Sequence, residues 1–170
     1  MSEIDVDIEV EDADWTQALP DAAALAETAA RRAVEAAGRH DGAVVVLLAD
    51  DAAVQGLNAR FRGQDKPTNV LSFPAPPDAP FLGAPLMGAR PLGDVILAFG
   101  VCAGEAAEQG KPLAHHLQHL VAHGVLHLLG YDHLTEGEAE VMEALERRIL
   151  AGLGAPDPYL DQGSANPGHG

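Results

Sequence analysis

The chain has 170 residues, 47% of them apolar, with a single cysteine and a formal net charge of −16. That is enough for one globular domain with a real core, and no run of 18 apolar residues offers a membrane-spanning helix. Cys102 alone gives no internal disulfide and no CxxC pair, so a zinc ribbon or dithiol redox site is excluded. The charge argues against a surface that coats nucleic acid generally, but leaves room for a local basic cleft.

At the N-terminal end, Ile4, Val6, Ile8 and Val10 alternate with acids, the pattern of a strand with one wet face. Seven of the 26 acids fall in the first fourteen residues. This start is unlike a basic and then apolar secretory leader, so a cytoplasmic protein is expected. Alanine-rich residues 20–38 predict a helix opened by Pro20 and Asp21 and closed by Gly38. "AVVVLLA" (43–49) reads as a strand buried on both faces. Asp50 or Asp51 caps a helix reaching about Phe61. "NVLSF" (69–73) is a third strand and "DVILAF" (94–99) a fourth.

Between them, residues 74–92 are dense in proline and glycine and predict a long loop. A short helix from about Val101 ends at Gly110, and Pro112 opens a longer one reaching Leu129. The last helix spans 135–154, with Thr135 and Glu138 in capping-box spacing. Together these predict an α/β (α+β-like) single domain over residues 1–160, with about five helices on a mixed four-stranded sheet. Residues 161–170 are expected to be a disordered tail.

The chemistry concentrates in "HGVLHLLGYDH" (123–133). His123 and His127, four apart on a helix, share one face, so their ring nitrogens can converge on one ion. Gly130 can take a positive φ and turn the chain so that His133 returns toward them. Three neutral imidazoles plus a water form an open, catalytic type of zinc site at the end of the central helix. The bland alternative is two partly buried polar residues on a helix. HxxxHxxGxxH has the metzincin spacing, but Gly124 stands where those peptidases carry their glutamate base, which disfavours a peptidase.

His119 lies one turn before His123, yet a 119–123–127 stripe spans about 12 Å along the axis, too long for one ion. His119 is therefore read as supporting the site, facing substrate, or core. His115 and His116 are read as surface residues. Asp132 could accept a ring N–H from a ligand histidine and fix its tautomer, or cap the turn. Tyr131 and Met142 are read as packing. Arg60, Arg62 and Lys66 form the one candidate anion-binding patch, with a solvated loop as its alternative. Ser72 is read as core or bonded to backbone, with a reach into the site from its strand end as the alternative.

"HGVLHLLGYDH", with "FRGQDKPTNVLSFP" (61–74) and "GDVILA" (93–98), resembles the YbeY family of bacterial endoribonucleases and rRNA maturation factors. The likeness runs from the first helix to "DPYL" (157–160). It implies a metal-dependent endoribonuclease with one Zn2+ per chain, acting on single-stranded or ribosomal RNA, in 16S rRNA 3′-end maturation and ribosome quality control. It also implies His123, His127 and His133 as metal ligands and Arg62 as the functional arginine. Lys66 and Arg60 would meet flanking phosphates. The implied partners are the small ribosomal subunit and, with it, a small-subunit protein and an assembly GTPase.

A guanidinium and a zinc ion both suit the charge that develops on phosphodiester cleavage. The nucleophile stays open between a water and the RNA 2′-OH. A second hypothesis is a non-catalytic assembly factor that binds RNA or ribosomal proteins through the same residues. Elemental analysis of purified protein should find near one zinc per native chain and much less in His133→Ala. Zinc in neither, even after it is supplied, would sink the three-histidine reading.

Overall fold

The computed structural model describes residues 3–39, 41–75, 91–132 and 134–157. In chain order these form β1 (Glu3–Val10), α1 (Asp14–Ala18), α2 (Ala22–Ala36), β2 (Asp41–Ala49), α3 (Asp51–Arg62) and β3 (Val70–Pro74). Then follow β4 (Pro91–Ala98), α4 (Phe99–Gln109), α5 (Leu113–Leu128) and α6 (Glu136–Gly152). The strands make one mixed sheet in the order β1-β2-β4-β3. β1, β2 and β4 run parallel, and β3 pairs antiparallel with β4 at the far edge. The α/β domain with a mixed four-stranded sheet is as expected. No helix among the described residues is long and apolar enough to cross a membrane.

The main core lies on one face of the sheet, where Val44, Val46 and Leu48 of β2 meet α2, α5 and α6. α2 buries Ala22, Ala26, Ala29, Ala30 and Ala33 with Val34. Such small side chains let its backbone come close to its neighbours, while each larger core residue, such as Leu117 or Leu126, contributes roughly 1.5–3 kcal/mol by leaving water. A smaller cluster on the other face joins Val54 of α3 to Leu71, Ile96 and Ala98. Cys102 belongs to the main core. It is fully buried, and burial with the nearby Glu105 carboxylate pushes its thiol well above the ordinary range.

Four details differ from expectation. β2 alternates buried and half-buried residues, and β4 is the strand covered on both faces, with Val95 to Ala98 all buried. α3 packs Val54 on Ile96 and Ala98 of β4, and the apolar run of β2 alone did not reveal which interior strand is covered on both faces. β4 begins at Pro91 and β3 ends at Pro74, so part of the expected loop is strand; residues 76–90 and the expected tail lie outside the described residues. α4 starts at Phe99. A sixth helix, α1, is only five residues long, too short for a hydrophobic period. It places Trp15 fully buried, donating to the Ala49 carbonyl at 2.9 Å.

One close approach positions everything that follows. α5 lies against β3 and β4 at Gly124, where a Cβ would stand 2.7 Å from Val95 Cγ1 and 3.1 Å from Ser72 Oγ. Ser72 Oγ in turn donates to the Gly124 carbonyl at 3.0 Å. Gly124→Ala should therefore destabilise the fold by about 1–3 kcal/mol through overpacking against a stiff β-branched neighbour. Denaturant unfolding checks this, and wild-type stability would refute the packing account.

Candidate active site

α5 carries His123 and His127 on one face, and their Nε2 atoms stand 3.1 Å apart. After Leu128 the helix stops in a Schellman turn: the Gly130 N–H donates to the His127 carbonyl and the Tyr131 N–H to the Leu126 carbonyl, both at 3.0 Å. Gly130 takes φ 97°, where a side chain would be strained, so the turn assigned to it is present. The turn leads to Asp132; His133, the third expected ligand, lies outside the described residues. Among the described residues no group of three or more His, Cys, Asp or Glu could hold a metal.

The donor pair itself fits zinc. Two imidazole nitrogens on one tetrahedral ion, each about 2.0–2.1 Å from it, would lie about 3.3 Å apart. The observed separation is close to that. The other side of His123 is fixed by Glu146 of α6, whose Oε2 lies 2.8 Å from His123 Nδ1. Its Oε1 lies 2.7 Å from His119 Nε2. The Glu146 side chain is fully buried, so each oxygen needs a donor, and the two imidazole N–H groups supply them. With its proton on Nδ1, His123 keeps the Nε2 lone pair toward His127. A carboxylate behind a ligand histidine orients the ring and raises its basicity.

The cationic wall comes from the end of α3. Asp50 caps its start, accepting from the Ala53 N–H at 2.8 Å. Gly63, at φ 70°, ends it directly after Arg62. Arg62 Nη2 donates to the Ser72 carbonyl at 2.9 Å, and its guanidinium lies over the Phe73 ring, 5.7 Å from the centroid. Buried Asn58 donates to the Lys66 carbonyl at 2.9 Å, which holds the 63–69 segment onto the helix. The result is a cleft of about 710 Å³ lined by Arg62, Lys66, Asn69, Ser72, His123, His127 and Asp132, among others.

Most of the expected site residues thus share one cleft: Arg62, Lys66, Asp132, His123 and His127. His119 lies outside it, in an adjoining cleft of about 240 Å³ that also touches His123, and it shares the Glu146 carboxylate with His123. Arg60 instead lies over Phe61. Ser72 bonds backbone, as read, and Met142 and Tyr131 are core or packed against it.

His116 is a correction: it is buried, with Nε2 2.8 Å from Glu105 Oε1. It stands eight residues before Gly124, on the same inward face of α5, and burial is the main cause holding its imidazole below the ordinary 6.5. Glu146 was missed altogether. The available signal was its place in the buried series Met142, Leu145, Glu146, Ile149, Leu150, a carboxylate on an apolar stripe.

A model of the family described as endoribonuclease YbeY matches residues 5–154. The chain is 54% identical over 164 residues to the endoribonuclease YbeY of Paramagnetospirillum magneticum, covering 94% of this chain and 98% of that protein. With the endoribonuclease YbeY of Paracoccus denitrificans it shares 48% over 166 residues, covering 92% and 90%. The solution structure of a Thermotoga maritima protein superposes with a TM-score of 0.52 at 23% identity, over 87% of this chain and 91% of that one. That last likeness concerns the fold.

Nitrogen-detected NMR on metal-free protein should find the His123 proton on Nδ1 and show a population moving to Nε2 in Glu146→Gln. The amide oxygen can accept from only one of the two histidines, while its NH2 must donate to the other. A native His123 protonated on Nε2 instead would refute this assignment.

Proposed function

Because the chain belongs to the endoribonuclease YbeY family, we propose that its cleft cuts single-stranded RNA with the help of one zinc ion. The proposed substrate is ribosomal RNA, at the 3′ end of 16S rRNA and in ribosome quality control. The observation that carries this reading is the pair of Nε2 atoms 3.1 Å apart in the same cleft as an arginine anchored to the strand edge. His123 and His127 would hold the ion together with His133. When bound, zinc supplies Lewis-acid stabilisation of charge on a phosphoryl oxygen.

The chain's own residues do the rest. Arg62 holds a permanent positive charge at the cleft wall. One of its N–H groups is fixed on Ser72, and the fork that remains suits the non-bridging oxygens of a phosphodiester, where charge grows during cleavage. Lys66 adds a point charge for a flanking phosphate. Glu146 keeps the His123 ring oriented and its Nε2 free of a proton. An open cleft of this size favours unpaired nucleotides, whose bases can be splayed apart, over a stacked duplex. A cytoplasmic setting follows from that substrate, as do the small ribosomal subunit, one of its proteins and an assembly GTPase as partners.

The packing at Gly124 supports a nuclease over a peptidase. A glutamate there would have to displace Val95 and Ser72, so a base on that helix position does not fit this fold. The reading of a non-catalytic assembly factor uses the same residues and separates only by experiment. On single-stranded ribosomal RNA fragments, His127→Ala should abolish cutting while RNA binding survives. Arg62→Ala should slow cutting roughly a hundredfold or more at unchanged zinc content, and Glu146→Gln should weaken zinc binding about 10- to 100-fold. Undiminished cutting by His127→Ala would hand the site to the assembly-factor reading.

A further inference from the structure

Burying a phenylalanine contributes roughly 1.5–3 kcal/mol, and Phe61 forgoes much of it: the residue is 60% exposed. It sits in the last turn of α3, immediately before the arginine that lines the cleft. The other exposed large apolar residues among those described, Val10, Leu134 and Val141, are aliphatic.

The surroundings of Phe61 are ordered. Its ring meets Phe73 of the edge strand β3 edge-on, with centroids 5.5 Å apart. The Arg60 guanidinium lies over the Phe61 ring at 5.5 Å, and the Arg62 guanidinium over Phe73 at 5.7 Å. Arg60, Phe61, Phe73 and Arg62 therefore form a continuous run of planar groups, cation, ring, ring, cation, that begins at solvent and ends at the cleft wall. Packing against Phe73 fixes the Phe61 ring while leaving more than half of the residue accessible.

Charge selects the occupant. The chain carries −16 overall with only ten basic residues, yet three of them, Arg60, Arg62 and Lys66, fall within seven positions around this ring. An apolar protein segment would gain nothing from those cations. A nucleic-acid strand satisfies both features at once, with a base on the ring and phosphates on the guanidinium and ammonium groups. We propose that Phe61 is a stacking platform for an unpaired nucleobase of the RNA strand, a neighbour of the nucleotide at the scissile phosphate, with Arg60 contacting the adjoining phosphate. The proposal rests on the reading of the cleft as an RNA site. Stacking on a ring face tolerates every base, so this position contributes affinity and registers the strand without reading sequence.

The test is equilibrium binding of a fluorescent single-stranded oligoribonucleotide to the chain carrying His127→Ala, which should bind without cutting. Adding Phe61→Ala should weaken binding about five- to a hundredfold. Phe61→Leu, which keeps an apolar contact to Phe73, should be weakened too, and Phe61→Trp should restore binding with its fluorescence quenched by the stacked base. A strand abasic at the stacking position should be insensitive to Phe61→Ala. Equal binding by the Phe61→Ala and parent chains, or full binding by Phe61→Leu, overturns the platform and leaves the RNA site standing. A parent chain that binds no RNA overturns both.

Discussion

Helix α5 can lie against β3 and β4 only because position 124 has no side chain, and the cleft is registered on that approach. Ser72 is the joint. Its hydroxyl donates to the Gly124 carbonyl on the histidine helix, and its own carbonyl accepts from Arg62 on the opposite wall. A strand residue of no apparent chemical ambition thus ties the two halves of the site to one backbone segment. Hydrogen bonds of this kind contribute about 1 kcal/mol each to stability. Their larger effect is positional: the imidazoles and the guanidinium cannot drift independently, and preorganisation of that sort is what electrostatic catalysis requires.

Behind the helix, the same economy recurs in Glu146. A fully buried carboxylate is costly unless its oxygens are bonded, and here the compensation comes from His119 and His123. The contacts that make the acid tolerable in the core are those that orient the imidazole facing the cleft. Fold and site are consequently difficult to separate on this flank, whereas Arg62 and Lys66, exposed at the end of α3 and in the segment after it, can be altered with little cost to the core.

Much of this was legible in the sequence because it depends on local pattern. The alternation of β1, the capping box of Thr135 and Glu138 and the helix stop at Gly130 each follow from neighbouring residues alone, and all three are present, although the alternation stops at Ile8 and Val10 is exposed. The pairing of His123 with His127 follows from helix geometry, and the cleft that joins them to Arg62 accords with the two motifs of the family. What was not legible depended on partners distant in the chain. Whether β2 or β4 is covered twice is decided by where α3 lands. His116 reads as polar surface until the inward face of α5 is known, and Glu146 has meaning only once α6 brings it beside α5. The role of Gly124 was half read: the missing base was visible, the missing space was not.

The acids of β1 lie at the sheet edge away from the cleft. Asp5, Asp7 and Glu9 face water from the edge strand β1, and Asp7 beside Glu9 raises the Glu9 carboxyl above its ordinary value. A row of like charges on an open strand edge discourages pairing with another chain, while the opposite edge of the sheet borders the cleft. Cys102 has a further practical consequence. The chain's single thiol is enclosed by the core and held in its protonated form, the form that neither alkylating reagents nor oxidants attack readily. A cysteine introduced on the exposed surface would then be the one reactive thiol in the folded molecule. Fluorophores or spin labels could be attached there to follow the protein without first removing a native residue.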